Sequence, residues 1–312
     1  MNVLITGATG FLGPHLIRSA QKLGGRVSII SRSPRNFQGV SIYSGDLTIP
    51  SPQVKEAFKN QDVIFHAAVD YRSPQKTLAM MGNVLKLALS AGSPKMVFVS
   101  SQNASFQNPG GYSLAKRECE ELLKARYSRW CIVRPTLIYD DGGGFLIGDL
   151  IRTARKFHLI PLPGAGASPL QPVHAEDVAE VTVKSAGLPD RTLVTVAGRE
   201  VVSLKQLAEC LQKNIPGSFI VTVPMRLLKW AGLFHPVIRD KARELEQVKT
   251  LTPEEEKTLS RILPGVRRSI LEDLPKLLGS ARRQQTKSDV FRDPGIGIEK
   301  KFPVDGQPRF VK

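Results

Sequence analysis

The chain has 312 residues, 41% hydrophobic and 23% charged, an ordinary globular balance with enough apolar material for one large core or a nucleotide domain plus a smaller companion. Its 44 Lys and Arg against 28 Asp and Glu give a net charge of +16, which favours anionic partners such as phosphorylated substrates, lipid headgroups or nucleic acid. Aromatic residues are only 6% and no familiar nucleic-acid motif is present, so nucleic-acid binding is not expected.

Three widely spaced cysteines, Cys119, Cys131 and Cys210, read as free thiols of a reducing compartment, with no metal-ligand spacing. With a core strand at the very N-terminus and no apolar run of spanning length, they predict a cytoplasmic protein.

The stretch TGATGFLG at 6–13 follows the apolar strand Val3-Leu4-Ile5 and leads into a helix carrying Leu16, Ile17, Ala20 and Leu23. Gly7, Gly10 and Gly13 suit a turn that needs positive φ, close approach of a ligand and tight helix-strand packing, with free helix N–H groups facing an anion. A dinucleotide diphosphate is the natural occupant. The spacing is GxxGxxG rather than the commoner GxGxxG.

A second strand, RVSIISRS at 26–33, ends where a ribose-binding acid is expected, roughly 20 residues past the glycine turn. Ser31, Arg32, Ser33 and Arg35 stand there instead, which predicts a 2′-phosphate partner and hence NADP in preference to NAD. Next, SIYSGDL brings Asp46 and Leu47 to a strand end that meets the adenine. QDVIFHAA at 61–68 is an apolar strand closing in the small pair Ala67-Ala68, as required where backbone passes close to a cofactor. Residues 77–90 have helical spacing, with Leu78, Met81, Leu85 and Leu89 as the core stripe. KMVFVSS at 95–101 is a buried parallel strand whose carboxyl end is a ligand position.

Beyond it, Tyr112 and Lys116 are four apart and share one helix face. An ammonium beside a phenol favours phenolate, which makes Tyr112 a candidate general acid/base for an alcohol or carbonyl. Ser100 or Ser101 supplies a further hydrogen bond to the same oxygen; Ser101 is the candidate taken as the third catalytic residue.

These segments together resemble an extended or atypical short-chain dehydrogenase/reductase of the NAD-dependent epimerase/dehydratase type. The likeness is carried by TGATGFLG, GDL at 45–47, HAA at 66–68, VSS, YSLAK, VRPTLIY at 133–139 and QPVHAEDVAE at 171–180. It implies an α/β, Rossmann-like doubly wound parallel sheet with a smaller mixed C-terminal substrate domain. It also implies a bound NAD(P), Tyr112 and Lys116 as the catalytic pair, Lys116 and Pro135 at the nicotinamide, and Thr9, Phe11 and Leu12 with the glycines at the phosphates. Gln102 stands four residues before Phe106 where sugar-nucleotide epimerases carry Ser or Thr, and Asp140 replaces a common glycine. The short gap from Ser100 to Tyr112 is more like the branch containing the nucleotide-binding accessory subunit of respiratory complex I.

In the second half, Pro135 ends the strand WCIVRPTLIY, and DDGGG at 140–144 is a loop beside the substrate cleft. Arg152, Arg155, Lys156 and His158 are candidate substrate-phosphate ligands or a solvated helix face. His174 and Asp177 read as a structural turn into a helix. Ser203 caps LKQLAECLQ, FIVTVP at 219–224 is a short strand, and Thr252, Pro253 and Glu255 start another helix. MRLLKWAGLF at 225–234 reads first as a packed helix or substrate lid, with membrane-surface contact as the alternative.

The expected organisation is a nucleotide domain over 1–165, with 170–200 returning to the sheet, a substrate or lid region over 201–275, and a basic tail over 276–312 containing Arg282-Arg283. The principal functional expectation is an NAD(P)-dependent oxidoreductase or epimerase/dehydratase acting on a small-molecule hydroxyl or carbonyl substrate, a nucleotide sugar first. The alternatives are a non-catalytic NADPH-binding subunit of a larger assembly and a reductase of an apolar, sterol- or flavonoid-like substrate. Peripheral contact with anionic membranes and a homodimer stay open.

Overall fold

A computed structural model of the chain describes residues 1–33, 36–141, 144–234, 247 and 250–280. Arg35, Gly142-Gly143 of the DDGGG loop and Arg282-Arg283 of the basic tail lie outside the described residues. The strands are β1 (Asn2–Thr6), β2 (Arg26–Ser31), β3 (Val40–Ser44), β4 (Val63–His66), β5 (Lys95–Val99), β6 (Trp130–Pro135), β7 (Ile138–Tyr139), β8 (Leu159–Pro163), β9 (Pro169–Leu170), β10 (Val173–His174), β11 (Thr192–Val196), β12 (Val202–Ser203) and β13 (Phe219–Val223). The helices are α1 (Gly13–Lys22), α2 (Pro52–Ala57), α3 (Pro74–Ser90), α4 (Gly111–Arg126), α5 (Phe145–Phe157), α6 (Ala175–Lys184), α7 (Leu204–Asn214), α8 (Met225–Phe234), α9 (Pro253–Ile262) and α10 (Ile270–Ser280).

Seven strands form one sheet in the order β11-β6-β5-β4-β1-β2-β3, every pair parallel. The apolar alternation of β1 explains why it sits centrally. Val3 and Ile5 join Val27, Ile29, Phe65, Val97 and Val133 beneath α1 and α6, whereas Leu4 joins Ile64, Met96, Phe98 and Ile132 beneath α3 and α4. A sheet apolar on both faces must be covered on both faces, which gives the doubly wound arrangement. Strand order reverses between β1 and β4, and the crevice at the carboxyl ends there is where such a sheet takes its ligands.

The stripe of α3 differs from the expected one. Its buried residues are Thr77, Met81, Val84, Leu85 and Ala88, while Leu89 is exposed; the helix is rolled so that residues seven and eleven positions beyond Thr77 meet the sheet. A third apolar cluster joins α5, α7, β8 and α10 through Ile147, Leu150, Ile160, Leu207, Leu211 and Leu274. The helix starts at Ser203 and Thr252 are as read from the sequence, and both are reciprocal capping boxes, with Gln206 and Glu255 as partners. Helix α10 runs across residue 276, where the tail was expected to begin.

Candidate nucleotide-binding and active site

The turn between β1 and α1 is built by backbone. Gly7 has φ 76°, and a Cβ there would lie 2.6 Å from the Ala68 nitrogen, so both its conformation and its neighbour demand glycine. The Gly10 N–H donates to the Gly7 carbonyl at 3.0 Å. A Cβ on Gly13 would fall 2.0 Å from the Ala8 carbonyl oxygen, so this glycine serves close packing of the helix on its own turn. The N-cap of α1 is Leu12, whose side chain makes no capping hydrogen bond; the Gly13 N–H donates to the Gly10 carbonyl at 3.2 Å and Pro14 has no N–H to offer, so an anion here is met mainly by the turn that precedes the helix.

A cleft of about 670 Å³ opens at the carboxyl ends of the strands. It brings together Gly7, Thr9, Gly10, Phe11 and Leu12 from the turn, Arg32 after β2, Asp46 and Leu47 after β3, Ala67 and Ala68 after β4, and Tyr112 and Lys116 of α4. Gly13, Pro135 and Ser101 do not line it.

At one end, Arg32 is 75% exposed and its guanidinium is 3.9 Å from the Asp46 carboxylate. The Thr48 N–H and hydroxyl both donate to Asp46 Oδ1, at 2.7 Å each. Partial burial pushes the Asp46 pKa up, but the Thr48 hydrogen bonds and the charges of Arg32 and Lys76 outweigh it and hold the group below the usual carboxylate range. Arg72 and Lys76 also line the cleft. Sequence reading missed these two cations, although they directly follow the small-residue strand end that marks the crevice.

The opposite end is made of buried side chains. Tyr112 stands in the first turn of α4, its ring stacked on Tyr71 with centroids 5.0 Å apart. Lys116, one turn on and 2% exposed, donates from Nζ to the Val99 carbonyl at 2.7 Å. The same Nζ lies 4.7 Å over the Phe98 ring centroid and 5.9 Å from that of Tyr112. Burial pushes its pKa down to about 8, opposed by Cys119 and Glu120. His66, buried beside it, shares a 2.6 Å hydrogen bond between Nδ1 and Thr6 Oγ1. Burial, then the Lys116 charge, push its pKa down to about 3, so it is a neutral imidazole.

The two serines are placed differently. Ser101 Oγ accepts the Asn103 N–H at 3.2 Å and caps a short 3₁₀ turn. Ser100 is the serine that lines the cleft, and its hydroxyl donates to Glu120 Oε1 at 2.5 Å. Glu120, 1% exposed, also accepts from Arg134 Nε at 2.8 Å and Nη2 at 2.6 Å. These bonds hold its pKa low against the opposing effect of burial. Gln102 is buried and donates to the Thr250 carbonyl at 2.9 Å. The available signal for Glu120 was its place four residues after Lys116, on the same helix face.

Residues 7–187 match the family described as NAD(P)H-binding, more than half the chain. The chain belongs to the NAD(P)H-binding family. Ceramide reductase of Caulobacter vibrioides is 30% identical over 209 residues, 62% of this chain and 64% of that one. A mitochondrial NADH dehydrogenase [ubiquinone] 1 alpha subcomplex subunit 9 of Arabidopsis thaliana is 26% identical over 235 residues, 68% of this chain and 57% of that one. The alignments thus span less than two thirds of either relative. The solved structure of MoeE5 in complex with UDP-glucose and NAD superposes with a TM-score of 0.70 at 19% identity, covering 91% of this chain and 99% of that one. A UDP-glucose 4-epimerase of Thermotoga maritima superposes with a TM-score of 0.71 at 14% identity, covering 91% of this chain and 99% of that one, so the fold is that of epimerase/dehydratase structures.

Within this NAD(P)H-binding protein, the other second-half residues lie away from the cleft lining. Arg152 pairs with Asp149, the Arg155 guanidinium donates to the Leu278 carbonyl at 2.9 Å, and Lys156 lies over Phe157. His174 caps α6, its Nδ1 accepting the Glu176 N–H at 3.2 Å, the structural place read from the sequence. Pro135 closes β6 opposite Val196. Asp140 and Asp141 reach toward His15 and His174, at 3.6 and 3.7 Å.

Proposed function

We propose that the protein is an NAD(P)-dependent oxidoreductase in which Tyr112 exchanges a proton with a substrate hydroxyl or carbonyl oxygen. The observation that carries this reading is the convergence of a glycine-only backbone cradle and the Tyr112–Lys116 pair on one cleft. The nicotinamide, when bound, supplies or accepts the hydride. Gly7, Gly10 and the rest of the turn ahead of α1 hold the diphosphate; Ala67 and Ala68 leave room for the dinucleotide. Lys116 stabilises the Tyr112 phenolate and is itself oriented by the Val99 carbonyl. Ser100 donates its hydroxyl hydrogen bond to Glu120 and so presents lone pairs to the cleft, where it accepts from a substrate hydroxyl.

NADP is the preferred cofactor in this reading, because Arg32 and Lys76 flank the adenine end and no carboxylate stands in the turn directly after β2. Asp46 is the adjacent counter-ion that a 2′-phosphate displaces from Arg32.

For the substrate, the structural likeness to MoeE5 supports a nucleotide sugar. The 30% identity to ceramide reductase supports an apolar ketone or alcohol. So does the position of Arg152, Arg155 and Lys156, which are engaged away from the cleft lining and are not placed to grip a sugar-nucleotide diphosphate. Titrating NADPH and NADH by fluorescence, then screening UDP-sugars and long-chain ketones for loss of reduced-nicotinamide absorbance, tests both levels. Turnover of a ketone but no UDP-sugar selects the apolar reading. Tight cofactor binding with no turnover on either class overturns the enzyme reading in favour of a nucleotide-binding subunit.

A further inference from the structure

Strands β8 and β13 pair in parallel outside the main sheet, with Leu159 opposite Phe219, Pro161 opposite Val221 and Pro163 opposite Val223. Side chains alternate across a strand, so these six share one face, while Ile160 and Leu162 point the other way into the third core cluster. A sheet with one solvated face ordinarily shows polar residues on it. Here all six positions of that face are apolar: Phe219 is 64% exposed and Leu159 and Val221 are exposed too, while Pro161, Pro163 and Val223 are half-buried; Thr222, on the other face, is exposed as well. Further exposed apolar residues flank the two strands in the sequence. Phe157 is exposed just before β8, and α8, which follows β13 after Pro224, exposes Leu227 and Trp230 three residues apart on one helix face. Exposed apolar side chains gathered on one face of a strand pair mark a docking site.

Charge indicates the occupant. Between 150–163 and 210–234 the chain carries six cations, Arg152, Arg155, Lys156, Lys213, Arg226 and Lys229, and not one Asp or Glu; Asp149, just outside, offsets Arg152, and the Arg155 guanidinium is turned to the Leu278 carbonyl. A second copy of the chain would press like charges together. An anionic bilayer complements both features at once: aromatic and aliphatic side chains enter the headgroup boundary while Lys and Arg heads stay among the phosphates.

We propose that the outer face of β8 and β13, with the exposed side of α8, docks on anionic lipid bilayers as a peripheral contact. No helix among the described residues is long and apolar enough to cross a membrane. The proposal does not depend on the cofactor or substrate reading.

The test is co-sedimentation of the full chain with phosphatidylcholine vesicles containing about 30% phosphatidylglycerol, at about 0.15 M salt. The expected result is binding to these vesicles but not to pure phosphatidylcholine, with a blue shift of tryptophan emission as Trp230 leaves water. Phe219→Ser and Trp230→Ser should each weaken partitioning about tenfold with unchanged thermal melting. Lys156→Glu combined with Lys229→Glu should weaken it by a similar factor on the anionic vesicles. Failure of the wild-type chain to sediment overturns the proposal. So does binding that survives both Phe219→Ser and Trp230→Ser, or a dimer in sedimentation velocity that Phe219→Ser dissolves, which would make a second copy the occupant.

Discussion

The two ends of the cleft are built by different means. At the glycine-turn end the work is done by backbone and by exposed charge: Gly7 and Gly10 shape the turn, and Arg32 stands 75% exposed. At the reactive end, Lys116, Glu120 and His66 are all at most 2% exposed and are fixed by hydrogen bonds from three strands. A backbone cradle can be altered without threatening the fold except where a Cβ has no room. A buried ionic network cannot, because each partner removed leaves another charge without compensation in a low-dielectric interior.

The largest expected effect separates chemistry from binding. Tyr112→Phe should lower turnover about 10²–10⁴-fold and leave NADPH affinity within about threefold, since the ring and its stack on Tyr71 stay in place. Stopped-flow oxidation of NADPH with an accepted substrate reads the first quantity, and fluorescence titration the second. Full activity in that variant breaks the assignment.

Glu120→Ala should cost about 3–5 kcal/mol of stability in urea unfolding, because Arg134 is left half-buried without its carboxylate partner. Arg134→Ala should cost less than Glu120→Ala, and the double variant less than the sum of the two, as members of one network are not additive.

The third effect is on pH. A Lys116 pKa of about 8 in the folded protein, against 10.5 ordinarily, means that the unfolded chain binds more protons between those values. Stability therefore carries the full burial cost below pH 8 and rises as pH climbs from about 8 toward 10.5, by about 3 kcal/mol from this group. Lys116→Met should abolish that rise, seen in unfolding free energies at several pH values. Activity that needs the ammonium runs the opposite way and should fall above about pH 8.

The smallest effect belongs to the exposed end. Arg32→Ala should weaken NADPH about tenfold while NADH affinity stays unchanged and the melting temperature does not move. Equal loss for both cofactors would mean that Arg32 stacks on adenine instead of meeting a 2′-phosphate.

The cradle was legible because its constraints are local. Glycine at 7, 10 and 13 after an apolar strand specifies a strand-turn-helix, and the spacing of Tyr112 and Lys116 specifies a shared helix face. Long-range partners were not legible. Nothing in the serine pair tells which hydroxyl faces the cleft, because that depends on Glu120 arriving from α4 and on the 3₁₀ turn that captures Ser101. Likewise, the apolar run at 219–223 reads as a short strand, but its pattern cannot say that Phe219 and Val221 stay exposed. For α8, Trp230 and Leu227 are exposed, so the packed-helix expectation does not hold for that face.

Helix α9 has one more consequence. It lies far beyond the glycine turn, yet Leu259 and Leu263 belong to the same apolar cluster as Val3 and Ile5. Its Glu255 accepts a hydrogen bond from Thr195 of the edge strand β11. The cofactor half is therefore not finished when its own strands have been synthesised. A nascent chain of about 250 residues emerging from the ribosome leaves that flank of the sheet uncovered and exposed to chaperones until the final segment arrives.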